Sequence, residues 1–272
     1  MLRWSLAHLS LLDATPPQLV AAAASAGFRH VGVRLWPGRP GEAPHPMYEG
    51  SSMLAETRAR MADLGVQVHD VEVIRLSAGF EVMAYEPMMA VAASLGARYV
   101  VVNSDDPDPL RAADNLAALA ELAARHRLAL GVEFMIYTAL PDLPAARTLL
   151  QRAAQPNVRI LIDTLHLMRS GADPSTLTGE ATLARDFAQF SDAPARPHPA
   201  LSPGEEARAH RLLPGEGELP LVAIAKNTLA PGAMVAIEAP SAVRRHHLGL
   251  EQRAALAWRA AQSWQASMQR KI

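Results

Sequence analysis

A short apolar run followed by a helical stretch recurs eight times along the 272 residues. The apolar runs, such as Tyr99–Asn103 and Val158–Asp163, contain few polar residues and are typical of strands buried on both faces of a parallel sheet. Gly27 and Gly65 follow two of the helical stretches, where a left-handed residue commonly ends a helix. Eight such units in about 250 residues predict an α/β protein, a single-domain (β/α)8 TIM barrel that includes the whole chain, 1–272.

The boundaries of the elements follow from the same pattern. The predicted strands are Leu2–Ala7, His30–Leu35, Val66–Ile74, Tyr99–Asn103, Leu128–Glu133, Val158–Asp163, Ala188–Ser191 and Ala233–Glu238. The predicted helices are Pro16–Ala26, Met53–Leu64, Tyr85–Leu95, Pro109–His126, Pro144–Ala154, Pro174–Leu177, Pro220–Leu229 and Gly249–Met268, with loops at Pro37–Gly50 and Asp192–Gly217. An open doubly wound sheet is the alternative, but no Gly-x-Gly-x-x-Gly phosphate loop follows the first strand.

Composition excludes several classes of protein. Half of the residues are hydrophobic and none is cysteine, so we expect a large core without disulfides or thiolate metal sites. The net charge of −1 argues against a nucleic-acid partner, and no apolar run is long enough to span a membrane. The N-terminus lacks a signal-peptide pattern, so we expect a cytoplasmic protein with a small-molecule substrate. Trp258 and Trp264 on the last predicted helix leave two alternatives, packing against the barrel or against a second subunit of a homo-oligomer.

Oxygen-bearing side chains end four consecutive predicted strands. Glu133, Asp163 and Glu238 end the fifth, sixth and eighth strands, and Gln189 lies in the seventh. In a (β/α)8 barrel these ends meet at the mouth, where the active site lies. Three carboxylates buried close together repel one another, and a divalent cation would offset that repulsion. The sulfur-free oxygen donors favour Mn²⁺, Mg²⁺ or Co²⁺ over Zn²⁺.

The same residues carry a resemblance to a known family. The segments Asp163-Thr-Leu-His166 and Gln189-Phe-Ser-Asp192, the motif Arg211-Leu-Leu-Pro-Gly-Glu-Gly217 and the two glutamates resemble the xylose-isomerase-like TIM-barrel superfamily, in particular its sugar phosphate isomerases and epimerases. The resemblance extends over essentially the whole chain, since the segment from Ser5 through His8 is similar to the opening strand of the family.

The resemblance implies both a cofactor and the roles of individual residues. One divalent metal ion, Mn²⁺ or Mg²⁺ in preference to Co²⁺ or Zn²⁺, would be bound by the four strand-end residues. Glu133 and Glu238 would also exchange protons at the carbon beside the substrate's carbonyl, one as base and one as acid. His166 and Arg211 would contact substrate oxygens. His8, at the end of the first strand, is also predicted to bind substrate.

Two features depart from the sugar epimerases. Gln189 stands where those enzymes commonly have histidine, and in this respect the chain is more similar to the 3-dehydroshikimate dehydratases of the superfamily. The segment after Glu133, Phe134–Leu140, is apolar and lacks the acidic residue found there in ketose epimerases. Asp192 has two alternative roles, orienting His166 or Gln189 or capping a loop.

Three functions remain as hypotheses. The first is a metal-dependent isomerase or epimerase that acts on a sugar-like or cyclitol carbonyl compound through an enediolate. The second is a metal-dependent dehydratase (lyase) acting on a 3-dehydroshikimate-like or inosose-like substrate. The third is a barrel that only binds a ligand, and the presence of both glutamates argues against it. The absence of the second Asp-x-His ligand pair of that branch argues against a three-zinc nuclease.

Overall fold

Eight parallel strands form a closed barrel in the order of the sequence, which confirms the predicted (β/α)8 TIM barrel. The computed structural model describes residues 1–38 and 44–269, so residues 39–43 of the predicted loop and residues 270–272 at the C-terminus lie outside the described part. The strands are Arg3–Leu6 (β1), His30–Arg34 (β2), Gln67–Leu76 (β3), Tyr99–Ser104 (β4), Ala129–Val132 (β5), Val158–Asp163 (β6), Leu183–Phe190 (β7) and Met234–Ile237 (β8). Pairing of β1 with β8 closes the sheet.

Helices connect the strands around the outside of the barrel. They are Pro16–Ala26 (α1), Ser52–Leu64 (α2), Glu86–Ser94 (α3), Pro109–Arg125 (α4), Leu143–Ala153 (α5), Thr164–Arg169 (α6), Pro203–Ala209 (α7), Leu221–Thr228 (α8), Ala242–His247 (α9) and Leu250–Gln269 (α10). Three single-turn 3₁₀ segments add to these at His8–Leu11, Val82–Tyr85 and Pro174–Leu177. The predicted strands and helices all occur, with ends that differ mostly by one or two residues.

The largest differences lie in the second half of the chain. Strand β7 begins at Leu183 rather than Ala188, because the polar Arg185 and Asp186 interrupt the apolar pattern without ending the strand. Helices α6, α7 and α9 were not predicted, since six or seven residues are too few for a helical period to emerge. Helix α7 lies within the predicted polar segment and begins with a capping box between Ser202 and Glu205.

The interior of the barrel below its mouth is filled by side chains. A separate apolar cluster inside the strands contains Ala7, Val73, Tyr99, Val101, Leu161, Ala184, Phe187, Met234 and Ala236. The rings of His69, Tyr99 and Phe187 lie with their centres 4.8 to 5.9 Å apart in this cluster. The larger core lies between the sheet and the helices. The barrel is therefore packed below the strand ends, and its cavity lies at the mouth.

Both tryptophans of α10 pack against this chain's own barrel. Trp264 is 6% exposed and contacts the ring of Trp4 edge-on at 6.0 Å and that of Phe190 at 5.6 Å. Trp258 contacts the ring of Phe28 at 5.0 Å. Of the two alternatives from the sequence, the structure thus shows the first, packing within the chain. No helix in residues 1–38 and 44–269 is long and apolar enough to cross a membrane.

Gly27 ends α1 in a conformation that only glycine adopts without strain. Its φ is +111°, and an added Cβ would lie 2.9 Å from the indole ring of Trp258. We expect Gly27→Ala to lower the free energy of unfolding by about 2 to 4 kcal/mol, through backbone strain and overpacking together. Gly65→Ala is the matched control, because φ is +63° there but nothing lies within 4 Å of the added Cβ. Urea denaturation measures the free energy of unfolding of both variants, and an equal loss in the two would show that the Trp258 contact is not important.

Candidate active site

The four strand-end residues meet at the barrel mouth. Glu133 and Glu238 directly follow β5 and β8, Asp163 ends β6, and Gln189 lies near the end of β7. The sheet register pairs Asp163 with Gln189, which places their side chains at the same height in the barrel. All four side chains are buried, since the exposed fraction of each residue is between 1% and 7%. Parallel strands in register therefore bring these polar groups to one side of the mouth.

A cavity of about 490 Å³ opens above these residues. The side chains of Glu133, Gln189 and Glu238 line it together with those of His166 and Arg211. Other polar and charged lining residues are Arg34, Glu72, Arg75, Asn103, Tyr137, Glu205, Arg208 and Arg245. The cavity thus has carboxylates at its base and several arginines around it.

Arg211 is buried among the carboxylates. Its Nη1 lies 2.5 Å from Oδ2 of Asp163 and 3.1 Å from Oε2 of Glu238. Its Nε donates a hydrogen bond to the main-chain oxygen of Ala207 in α7 at 2.6 Å, and its Nη2 lies 3.3 Å from Nε2 of His166. The predicted role of Arg211 in substrate binding stays a prediction, because in this structure its hydrogen bonds go to the protein.

Burial and mutual repulsion shift the pKa values of the acidic groups. Burial, and after it the charge of Asp163, raises the pKa of Glu133 to about 8. Burial also raises the pKa of Glu238 well above its ordinary value, although Arg211 opposes the shift. Burial acts in the same direction on Asp163, but Arg211 and His166 outweigh it and leave its pKa below the ordinary value. Asp163 is therefore the carboxylate that stays ionised most readily.

His166 is neutral at pH 7. Burial lowers its pKa to about 4, and its Nε2 lies 3.8 Å from Oε1 of Glu133. The main-chain N–H of His166 donates to Oδ1 of Asp163 at 2.9 Å, so Asp163 also caps the start of α6. A neutral imidazole in the cavity can accept a proton or donate one hydrogen bond.

Two of the four predicted metal ligands lie in a close group of ligand-type atoms, together with His166. Among the Asp, Glu and His side chains of residues 1–38 and 44–269, those of Glu133, Asp163 and His166 offer atoms within 4.8 Å of one another. His166 was predicted to bind substrate rather than metal. Gln189 donates through Nε2 to Oε1 of Glu238 at 3.1 Å. The assignment of Gln189 and Glu238 as metal ligands stays a prediction.

Both ring nitrogens of His8 are hydrogen-bonded to the main chain. Its Nε2 lies 2.9 Å from the main-chain oxygen of Ala14, and its Nδ1 accepts from the N–H of Arg34 at 2.9 Å. The residue is fully buried and is not among the cavity-lining residues of the described part of the chain. These contacts support a structural role, in which His8 holds the end of β1 to that of β2, rather than the predicted contact with substrate.

Acid should destabilise the protein partly through His8. Burial lowers the pKa of His8 to about 4, below the 6.5 of an unfolded chain. The stabilisation that neutral His8 gives to the folded state is therefore complete above pH 6.5 and is lost as the pH falls towards 4. We expect the free energy of unfolding to fall by about 2 kcal/mol more in the wild type than in His8→Asn between pH 7 and 4.5. Urea denaturation at both pH values measures this difference. The exposed His198→Asn is the control, and a parallel fall in all three proteins would contradict the prediction.

The carboxylate of Asp192 accepts hydrogen bonds from the main chain of a loop. Its Oδ1 accepts from the N–H groups of Ala193 and Leu219 at 2.9 and 3.0 Å, and its Oδ2 accepts from that of Gly215 at 3.0 Å. Its backbone also pairs with that of Leu212. Of the two alternatives from the sequence, loop capping is the one that the contacts support. The loop that Asp192 organises begins next to Arg211.

The structure adds two groups at the mouth to the predicted site residues. Tyr137 lines the cavity, with His166 at 5.7 Å from its ring and the guanidinium of Arg208 over the ring at 5.6 Å. It was part of the segment classed as apolar. Glu72 is 1% exposed and forms an ion pair with Arg34 at 3.1 Å. Its position near the end of a strand was the only available signal.

Known proteins share this barrel. The family described as xylose isomerase-like TIM barrel matches residues 20–267. A 3-dehydroshikimate dehydratase of Pseudomonas aeruginosa is 30% identical over 244 residues, which are 84% of this chain and 36% of the relative, so the chain spans about a third of the length of that protein.

Solved structures agree in fold at low sequence identity. A probable 3-DHS dehydratase from Bacillus anthracis superposes with a TM-score of 0.76 at 15% identity, over 96% of this chain and 99% of the other. An L-ribulose 3-epimerase superposes with a TM-score of 0.72 at 16% identity, over 100% and 97% of the two chains. With eight strands in barrel order and a family match over most of its length, the chain belongs to the xylose isomerase-like TIM-barrel family.

Proposed function

We propose that the chain is a divalent-metal-dependent dehydratase of a cyclic hydroxyketone that carries a carboxylate, with 3-dehydroshikimate as the model substrate. The observation that carries the proposal is the cavity itself, which has buried carboxylates at its base and arginines around it. An anionic substrate fits such a cavity better than an uncharged ketose does, because guanidinium groups bind carboxylates in a two-pronged geometry. Gln189 and the 30% identical dehydratase support the same choice.

The residues present fit a divalent ion. Four buried carboxylates surround the base of the cavity, namely those of Glu72, Glu133, Asp163 and Glu238, and their arginine partners within hydrogen-bonding distance are Arg34 and Arg211. Two negative charges therefore remain without a cationic partner when all four groups are ionised, and a divalent ion would neutralise them. Oε1 of Gln189 is buried without a hydrogen-bond partner, as expected of an oxygen that binds a metal. Glu133, Asp163, Gln189 and Glu238 would hold the ion, with His166 close to them.

The side chains around the cavity can perform dehydration. A bound divalent ion would supply positive charge at the substrate's carbonyl oxygen, which lowers the cost of removing a proton from the neighbouring carbon. Glu133 and Glu238 line the same cavity, so either carboxylate can accept that proton. The neutral His166 can donate a hydrogen bond to the departing β-hydroxyl. That hydroxyl leaves as water with a proton from the other of these two glutamates, and both glutamates then return to their starting states by exchanging protons with solvent. The carbon–oxygen bond breaks as the carbon–carbon double bond forms, so the products are water and a conjugated ring.

Isomerisation is a second candidate, because two carboxylates that exchange protons at the base of one cavity are also what an epimerase needs. The two reactions share proton removal beside the carbonyl and differ in whether a hydroxyl then leaves. Gln189, which stands where sugar epimerases commonly have histidine, favours dehydration.

The test is incubation of the Mn²⁺-loaded protein with 3-dehydroshikimate in D₂O. We expect loss of one water and growth of ultraviolet absorption from the conjugated product. Deuterium incorporation without loss of water, from this compound or from a panel of ketoses and inososes, would support isomerisation instead. Absence of both reactions across the panel would overturn the proposal and favour a barrel that only binds its ligand.

A further inference from the structure

The guanidinium of Arg211 lies in the space between two of the proposed metal ligands. One nitrogen, Nη1, lies within 3.1 Å of a carboxylate oxygen of both Asp163 and Glu238, and 3.2 Å from the main-chain oxygen of Glu238. Arg211 is 2% exposed, and the charges of both carboxylates raise its pKa against the opposing effect of burial. It therefore remains a cation wherever it lies in this cluster.

A divalent ion and Nη1 cannot both hold these two oxygens. Carboxylate oxygens bind Mg²⁺ at about 2.1 Å, so an ion bound to these two oxygens would lie close to both. The same region between the oxygens is now filled by Nη1, and a guanidinium and a divalent ion at that separation would repel each other strongly. Binding of the ion by Oδ2 of Asp163 and Oε2 of Glu238 thus requires Nη1 to leave them.

We infer that Arg211 is an internal counter-ion that takes the place of the divalent ion in the metal-free chain and sets the affinity for that ion. This inference rests on the proposed function, since it assumes the metal site. The arginine stabilises the empty site by offsetting the repulsion between its carboxylates. Every ion that binds must compete with it, so the affinity for the ion is lower than the carboxylates alone would give.

The surroundings of Arg211 allow this movement. Its Nε is bonded to Ala207 in α7, so the base of the side chain has an attachment that does not depend on the carboxylates. The side chain also lines the open cavity, into which the end of the guanidinium can turn. Displacement by the ion would present the guanidinium to a substrate anion, in keeping with the substrate contact that the sequence predicts for this residue.

The test is titration of metal-free wild-type protein and of Arg211→Gln with Mn²⁺ alone, by calorimetry, together with thermal unfolding of each protein with and without the ion. We expect the variant to bind Mn²⁺ at least about fivefold more tightly than the wild type. The metal-free variant should unfold at a lower temperature than the metal-free wild type. Addition of Mn²⁺ should raise the unfolding temperature of the variant by more than that of the wild type. Arg211→Lys should lie between the two, because an ammonium keeps the charge but lacks the planar fork that reaches both carboxylates.

Arg169→Gln is the matched control. Arg169 forms a buried ion pair with Glu206 at 2.7 Å, between α6 and α7 and away from the four ligands. Its loss should lower stability without changing the affinity for Mn²⁺. Equal or weaker binding of Mn²⁺ by a folded Arg211→Gln protein, while the wild type binds, would overturn the inference about Arg211 and leave the metal site standing. Lack of Mn²⁺ binding by every protein, the wild type included, would overturn both the inference about Arg211 and the proposed metal site.

Discussion

Glu238→Gln should lower kcat/KM for the dehydration by about 10³-fold or more, because the substitution removes both a proton-exchanging group and a charge that holds the ion. The amide is the same size as the carboxylate, so the packing around it is kept. Burial already raises the pKa of Glu238 well above its ordinary value, which means that the charged form is costly in this place. We therefore expect the metal-free variant to be at least as stable as the metal-free wild type.

The measurements are steady-state kinetics, Mn²⁺ content after dialysis, and thermal unfolding. Glu216→Gln is the control, because Glu216 lies in the loop at the edge of the mouth, is 39% exposed and pairs with Arg244. Asp163→Asn should lose Mn²⁺ in the same way as Glu238→Gln. If both variants retain the wild-type metal content, the ligand assignment is wrong. If Glu238→Gln loses metal but regains full activity at high Mn²⁺, the carboxylate binds the ion without exchanging protons.

Asp192→Ala should lower the free energy of unfolding by at least about 3 kcal/mol, the largest effect on stability that we expect from one side chain of the mouth. The carboxylate is 2% exposed and accepts hydrogen bonds from three main-chain N–H groups, those of Ala193, Gly215 and Leu219. Each buried N–H that loses its acceptor costs about 1 to 3 kcal/mol. The loop beside Arg211 should loosen as a result.

Asp173→Ala is the matched control. Asp173 also accepts a main-chain hydrogen bond, from Ser175 at 2.9 Å, but it is exposed, so its loss should cost about 1 kcal/mol. Urea denaturation compares the two variants. Hydrogen exchange should show faster opening of the amides from Leu212 to Leu219 in Asp192→Ala alone. Equal losses of stability would show that the contacts of Asp192 contribute no more than a surface cap does.

The barrel could be predicted because its strands carry a strong local signal. Runs such as Val158–Asp163 are apolar at nearly every position, and their ends are marked by loop residues, so the structure reproduces that strand at both boundaries. Strand β7 was predicted too short because two polar residues, Arg185 and Asp186, interrupt the apolar pattern between the buried Ala184 and Phe187. The signal is weak where tertiary packing, rather than local pattern, decides the structure.

The position of the site could be predicted, whereas its internal contacts could not. Strand ends meet at the mouth of any (β/α)8 barrel, so Glu133 and Asp163 were placed by topology. The approach of Arg211 to Asp163 joins residues 48 positions apart through a loop of irregular structure. No periodicity specifies such a contact. The contacts of His8 could not be predicted for a related reason, since a strand-end histidine can face the cavity or the backbone, and the main chain around Ala14 decides which.

The packed interior below the mouth has a consequence for the order of events in catalysis. His69, Tyr99 and Phe187 fill the barrel beneath the strand ends, and the proposed ligands lie at the base of the cavity above them. Metal, substrate, released water and product must therefore all use the same entrance, and a substrate that is already seated covers the path to the ligands. Under the proposed function we therefore expect the ion to enter before the organic molecule, so turnover should show a lag when Mn²⁺ is added last.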